Sequence, residues 1–158
     1  MIQPELLIYL FSINLDVLKR QTEGITHDES LMQLPFRGNC LNWTLGHILV
    51  SRDRILQILG EEMVLRPEEA ELYASGSDPI NESNAHKALR LEQLLAGLEV
   101  SQERLTAALK GMTYQDMQQI SNERPLGQRL AFFFFHDTYH TGQTEILRQL
   151  TGKNDKVI

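Results

Sequence analysis

The sequence is short of cysteine and of basic residues, and these two scarcities exclude several classes of protein. Its single cysteine, Cys40, excludes an internal disulfide and suits a reducing compartment. The chain carries 15 Lys and Arg residues against 21 Asp and Glu residues, which gives a net charge of −6. That charge repels phosphate backbones and anionic lipid heads. We therefore expect a cytoplasmic protein that binds neither nucleic acid nor a membrane.

Long apolar runs are also lacking. The apolar stretch at residues 6–13 is interrupted by Ser12 and has no basic segment before it, whereas a membrane span needs about 20 apolar residues. We expect neither a signal peptide nor a span. With 158 residues, of which 42% are hydrophobic, the chain has the size and composition of one domain with its own core, covering residues 1–158.

Alternating runs of β-branched residues, which would indicate a sheet, are absent from the sequence. Apolar residues recur instead at intervals of three and four, the spacing of amphipathic helices. Residues 61–80 contain two prolines and read as a crossover with a short helix in EEAELYA. The prediction is an all-α, four-helix bundle of crossover topology. The first predicted helix ends near Arg20, and the second runs from a cap at Asn39 to Leu59. The third runs from a cap at Asn81 or Ser83 to Gly111, and the fourth runs from Pro125 to Leu150.

The segment FFFFHDTYHTGQ, residues 132–143, places two histidines four positions apart. Successive helical residues turn by about 100°, so His136 and His140 share one face. Phe134 projects to the opposite side, where it is either a chance surface aromatic or a contact with a second subunit. The histidine face is predicted to point into the bundle together with Phe132, Phe133, Phe135, Tyr139, Gln143, Ile146, Leu147 and Leu150.

A third histidine lies on the second predicted helix. His47 shares a stripe with Trp43 and Ile58, which indicates that it also faces the core. Two imidazoles at i and i+4 form a helical chelate for a transition metal, and a third imidazole leaves coordination positions open for water or substrate. The alternative for each ring is a core histidine satisfied by a neighbour. The three histidines together favour a metal site.

Two other metal sites compete for the same residues. HDTYH differs by one residue from the His-Glu-x-x-His of zinc proteases, with Asp137 in place of the glutamate, but no third ligand follows at a suitable spacing. A di-iron site needs two Glu-x-x-His pairs and further glutamates. Only Asp137 with His140 comes near that pattern, so both alternatives are disfavoured.

Several further residues are candidates for supporting roles. Asp137, Tyr139 and Gln143 can orient a bound water or hold a ligand imidazole, although packing is the alternative for each. Arg54 and Arg129 can bind a substrate carboxylate, or can simply lie on the core with their heads in water.

Three more side chains have reactive groups but no clear site. Cys40 lies near a helix start, where the dipole can lower the pKa of a thiol, but packing is favoured over catalysis there. His27 and His86 lack an apolar setting and are predicted to be solvated.

The segments LNWTLGHIL and FHDTYHTGQTEILRQL resemble the DinB-like (damage-inducible) superfamily. The resemblance implies a four-helix bundle of crossover topology, often a homodimer, with a divalent metal held by His47, His136 and His140. Its characterised members include transferases and isomerases that use a low-molecular-weight thiol, which the metal activates as a thiolate. Imidazole ligands suit several metals, of which zinc and nickel are the expected ones.

Two functions follow as expectations. The first is a metal-dependent thiol transferase, or a related hydrolase, that acts on a small molecule. The second is a non-catalytic, dimeric binding or regulatory module whose metal site is structural or vestigial.

Overall fold

The computed structural model describes residues 2–154, and four long helices dominate it. They are α1 (Pro4–Thr22), α3 (Leu41–Leu59), α5 (Leu91–Lys110) and α7 (Leu126–Leu150). Short helices α2 (His27–Ser30), α4 (Pro67–Ala70) and α6 (Tyr114–Gln118) lie in the connections, and α4 continues into a 3-10 turn at Glu71–Tyr73. No helix within residues 2–154 combines the length and apolarity needed to cross a membrane. The prediction of an all-α, four-helix fold is confirmed.

One small sheet interrupts the helical pattern. Strands β1 (Ile120–Ser121) and β2 (Arg124–Pro125) form an antiparallel hairpin, with Ile120 paired to Pro125. The two residues of its turn, Asn122 and Glu123, both have positive φ, as a tight hairpin requires. The sequence did not predict this hairpin because neither strand is long enough to show alternation.

The helices are arranged with crossovers, as predicted. Helices α1 and α3 each pack against both α5 and α7. Asn14 contacts Asp137 and the Gln21 carbonyl contacts Arg148, so α1 and α7 run parallel. Helices α3 and α5 are also parallel, because Asn42 bonds to the Leu89 carbonyl and Leu49 lies beside Gly97. The link from α3 to α5 must therefore return along the whole bundle, and residues 60–90 do so.

The start of α5 differs from its prediction. The helix begins at Leu91, well after the predicted caps Asn81 and Ser83. Those two residues form a local turn instead, in which the Ser83 backbone N–H donates to the Asn81 side chain at 2.9 Å. The Leu89 N–H donates to the hydroxyl of Tyr73, which holds this stretch in the crossover. Local turn bonds of Asn and Ser compete with helix formation.

The other predicted helix ends hold to within about two residues. Cys40, not Asn39, is the residue that precedes α3, and its side chain makes no capping bond. Gly60 ends α3 in the left-handed conformation, with φ of 81°, where glycine carries no Cβ penalty. Pro125 immediately precedes α7, as expected of a residue that lacks a backbone N–H.

The core consists of two apolar clusters with a buried polar layer between them. Leu49, Trp43 and Leu98 belong to one cluster, and Phe11 and Leu56 belong to the other. The polar layer is centred on an ion pair in which Arg52 Nε donates to Asp137 Oδ2 at 2.7 Å, and both side chains are 1% exposed. The remaining groups of the layer bond to Arg52 or Asp137 and come from Asn14, Gln102 and the Phe11 carbonyl.

The aromatic run on α7 is oriented differently from its prediction. Phe132, Phe135, Tyr139 and Ile146 are 58–64% exposed, so the prediction that they face the core is wrong. Phe134, predicted to face outward, is half-buried and packs edge-on against Phe11 at 5.7 Å between ring centroids. The buried face of α7 contains instead Leu130, Asp137, Thr141, Thr144 and Arg148. The apolar pattern predicted the wrong face because the core side of α7 is largely polar, with Asp137 and Arg148 bonded to groups on other helices.

Replacing Asp137 by alanine should strongly destabilise the fold. Arg52 would remain buried without its partner, and such a change costs about 3–5 kcal/mol of unfolding free energy. Chemical denaturation followed by circular dichroism measures it. Glu99→Ala, which removes an exposed partner of Lys19, is the control and should change stability little. Equal losses in the two variants would contradict a central role for the buried pair.

Candidate metal centre

The three predicted histidines meet at one point between α3 and α7. One ring nitrogen from each of His47, His136 and His140 lies within 4.8 Å of the others, so the three can hold a metal ion. His47 is buried and the other two are half-buried. The Nε2 atoms of His47 and His136 are 3.2 Å apart. Two nitrogens bound to one zinc ion at about 2.0–2.1 Å in tetrahedral geometry lie about 3.3 Å apart, so this pair fits a shared ion.

The ring of His47 is fixed from two sides. Its Nδ1 lies 2.8 Å from the carbonyl oxygen of Tyr73, and because a carbonyl only accepts, Nδ1 carries the proton and Nε2 keeps its lone pair. Trp43 stacks on the same ring, at 4.6 Å between centroids and 13° between planes. Both contacts direct Nε2 towards the other two histidines.

The two histidines on α7 differ in how they are held. His140 Nδ1 donates to Gln143 Oε1 at 2.7 Å, which leaves its Nε2 free to face an ion. His136 Nδ1 is buried and has no hydrogen-bond partner among residues 2–154. The orientation of His136 thus depends on the helix and on what its Nε2 contacts.

Electrostatics keep all three imidazoles neutral at physiological pH. Burial lowers the pKa of His47, and His140 and Arg54 lower it further, although the Tyr73 carbonyl opposes the shift. Burial, followed by repulsion from His140 and His47, lowers the pKa of His136 to about 4. Burial also lowers the pKa of His140. Neutral imidazoles with free lone pairs are the form that binds a cation.

A cavity of about 560 Å³ opens beside the three histidines, a size typical of small-molecule sites. Helices α3 and α7 form two of its walls, and the loop before α3 and Ser75 of the crossover complete it. Neutral side chains line it around the histidines, namely Leu34, Phe36, Asn39, Trp43, Thr44, Ser75, Tyr139, Gln143, Ile146 and Leu147.

Only some of the residues predicted to support the site lie close to the histidines. Gln143 orients His140, as predicted, whereas Asp137 is committed to Arg52 and Asn14 in the core. Tyr139 lines the cavity with its ring edge-on to His140 at 5.2 Å. Arg54 is exposed and does not line the cavity. Arg129 donates to Ser121 near the start of α7.

The remaining reactive side chains lie outside the site. Cys40 is fully buried, and burial raises the pKa of its thiol despite backbone hydrogen bonds that oppose the shift, so the helix start does not activate it. His27 was predicted to be solvated, but it is buried and its Nδ1 accepts from the Leu91 N–H. His86 is exposed, as predicted.

Sequence reasoning missed the contribution of Tyr73. This residue is fully buried, and its ring lies so close to Gly46 that a Cβ at position 46 would overlap it. The tyrosine hydroxyl donates to Asn42 Oδ1. The close approach brings the Tyr73 carbonyl to His47. A glycine beside His47 in mid-helix was the one available signal, since glycine there costs about 1 kcal/mol relative to alanine and needs a packing reason.

An all-α bundle whose inward histidines can hold one metal ion defines the class of this protein, and comparison with known proteins gives its family. The model of the DinB superfamily matches residues 13–144. The chain therefore belongs to the DinB superfamily. A search of curated proteins finds no match.

A solved structure is similar in fold. It is the crystal structure of a conserved protein from Enterococcus faecalis, with a TM-score of 0.74 and 15% sequence identity. The similarity covers 97% of this chain and 99% of that one. At this identity the likeness supports the helical architecture alone.

Replacing Gly46 by alanine should weaken metal binding without touching a histidine. The added Cβ displaces Tyr73 and so breaks the contact between its carbonyl and His47, and loss of such outer partners costs about 10–100-fold in metal affinity. Calorimetric titration with Zn²⁺ measures the change. Gly142→Ala is the matched control, because nothing lies within 4 Å of a Cβ at that helical position. Unchanged affinity in Gly46→Ala would refute the role of Tyr73.

Metal-free protein should lose stability as the pH falls from 6.5 to 4.5. The unfolded chain takes up protons near the ordinary histidine pKa of 6.5, whereas folded His136 resists protonation down to about 4. The contribution of neutral His136 to the free energy of unfolding is therefore fully present above pH 6.5 and is lost as the pH falls towards 4. Melting temperatures in chelator across this range test the effect. His136→Gln should flatten the profile, and an unchanged slope in that variant would assign the effect to other groups.

Proposed function

We propose that this protein binds one divalent metal ion through His47, His136 and His140 and uses it to transfer a thiol, or water, to a small molecule. The observation that carries the proposal is the convergence of three neutral imidazoles at the wall of a cavity of small-molecule size. A bound metal lowers the pKa of a thiol or water at an open coordination position. Zinc and nickel are the metals we expect, since imidazole suits both.

The residues around the site have defined tasks in this proposal. The Tyr73 carbonyl and Gln143 Oε1 hold the Nδ1 protons of His47 and His140, so that both rings present a lone pair from Nε2. Trp43 restricts rotation of the His47 ring. The apolar walls reduce the contact of a nucleophile in the cavity with water, which strengthens its electrostatic interactions.

A second function is supported by the same site. The chain would then be a non-catalytic binding or regulatory module whose metal is structural or vestigial. Hydrogen-bonded ligands on two different helices also suit this role, because a shared ion would join α3 to α7. The two functions differ in turnover, not in metal content.

Metal binding can be read from the single tryptophan. Trp43 stacks on His47, so Ni²⁺ at the site should quench the fluorescence of Trp43. Zn²⁺ should displace the Ni²⁺ and restore the fluorescence. His47→Ala and His140→Ala should each lose more than about 100-fold in affinity, since even outer partners cost about 10–100-fold. His86→Ala, which removes an exposed histidine, is the control and should bind normally. Undiminished quenching in both site variants would sink the proposed ligand set.

A conjugation screen separates the two functions. Metal-loaded protein is incubated with low-molecular-weight thiols and a panel of electrophiles, and product is measured by mass spectrometry. Turnover that disappears in His47→Ala but persists in His86→Ala supports the transferase. Stoichiometric metal with no turnover across the panel, and with hydrolytic substrates equally inert, favours the binding module.

We also propose that the protein is a cytoplasmic homodimer. Exposed apolar side chains lie on α1 at Leu6 and Tyr9 and on the parallel, adjacent helix α7 at Phe132 and Phe135, and such side chains mark an interface where they form one patch. Phe135→Glu should reduce the mass in light scattering from twice 18.1 kDa to 18.1 kDa. Met63→Glu, at another exposed apolar position, should leave the mass unchanged. A wild-type mass of 18.1 kDa would contradict the dimer.

A further inference from the structure

The walls of the cavity beside the histidines carry a consistent chemical bias. No Asp, Glu, Lys or Arg among residues 2–154 lines it. Its polar groups are neutral hydroxyls and amides, and those of Thr44 and Gln143 already bond to the Cys40 carbonyl and to His140. Most of the remaining wall is apolar or aromatic, from Leu34, Phe36, Trp43, Tyr139, Ile146 and Leu147.

Three cationic residues outside the cavity do not change this bias. Arg54 is close enough to lower the pKa of His47, but its side chain is exposed and lies outside the cavity. Arg37 sits between two cavity residues in the chain and is also exposed and outside the cavity. Lys153 is paired with Glu29 at 2.6 Å. A carboxylate or phosphate that contacts these walls would therefore lose hydration without gaining an ionic partner among the wall residues, and only a metal ion held by the histidines would offer it an opposite charge.

An uncharged ring, unlike an anion, would gain favourable contacts from these walls. The aromatic walls come from three different segments, with Trp43 on α3, Tyr139 on α7 and Phe36 in the loop before α3. A flat apolar group among them buries surface and makes edge or stacked ring contacts. Asn39 and Ser75 supply neutral polar groups at the wall, which suit a ligand with a few hydrogen-bonding groups and no charge.

We infer that the cavity selects a small molecule whose wall-contacting part is uncharged and includes an aromatic or other flat apolar group, and disfavours a carboxylate or phosphate at any position other than the metal. This inference rests on the proposed function in placing a metal ion at the three histidines. It narrows the substrate class, because the part of the substrate or thiol that contacts the cavity walls, away from the group bound to the metal, must be neutral. Other charged groups of a larger ligand would have to remain outside, in water.

Two azole probes test the inference without requiring turnover. Protein loaded with Co²⁺ is titrated with 4-phenylimidazole and with imidazole-4-acetate, and binding is followed by the visible spectrum of the cobalt ion. We expect the neutral probe to bind at least about tenfold more tightly, which corresponds to about 1.4 kcal/mol. The affinities of both probes for free Co²⁺ are measured in parallel. They correct for any preference of the metal itself for one probe over the other.

Variants at the cavity wall make the test specific. Phe36→Ala should weaken 4-phenylimidazole several-fold and leave plain imidazole unchanged, because only the larger probe reaches the aromatic wall. Ile146→Arg, at a cavity position that is 63% exposed and so has room for a longer side chain, should improve binding of imidazole-4-acetate. Tyr114→Ala, on α6 and away from the cavity, is the control and should alter neither affinity.

The outcomes distinguish this inference from the proposed function. Equal or tighter binding of imidazole-4-acetate overturns the inference and leaves the metal site standing. Bound Co²⁺ whose spectrum responds to no azole also overturns it, since the cavity then does not lead to the ion. Failure of Co²⁺ to bind, seen as unquenched Trp43 fluorescence, overturns the proposed function and the inference together.

Discussion

The buried ion pair between Arg52 and Asp137 is the interaction on which the rest of the structure depends. It crosses the bundle from α3 to α7 and is held further by Asn14 of α1 and Gln102 of α5, so one polar layer touches all four long helices. Buried charges of this kind tolerate little displacement, because losing a partner leaves an uncompensated charge. The pair therefore fixes the rotation of α7 about its own axis.

That rotation decides where the site lies. Asp137 follows His136 directly, so aiming the aspartate at Arg52 turns His136 and His140 about the helix towards His47 on α3. The same rotation places Phe132 and Phe135 on the outside. The convergence of the three histidines and the exposed aromatic face thus both follow from the same rotation of α7. On the other side of the site, the close contact of Tyr73 with Gly46 brings a carbonyl to His47, which links the long crossover to the histidine that it orients.

The three histidines were predictable because the inward orientation of each one follows from a pattern within its own helix. The interval of four residues between His136 and His140 survives any rotation of α7, and the stripe of Trp43 and Ile58 correctly indicated the inward side for His47. The orientation of the aromatic residues was not predictable in the same way. Aromatic content usually marks a buried face, but the buried face of α7 is mainly polar, and its Asp137 and Arg148 bond to partners distant in the sequence, at residues 14, 21 and 52.

The sequence by itself determined the helical class, the number of long helices, most of their ends and the identity of the converging histidines, since these follow from periodicity, glycine and proline positions and short intervals. The tertiary structure alone decided the face of α7 that is buried, the late start of α5, the burial of His27 and the carbonyl that orients His47. Each of these depends on a hydrogen bond or ion pair between residues far apart in the chain. Such partners have no local signal, because their proximity arises only when the helices pack.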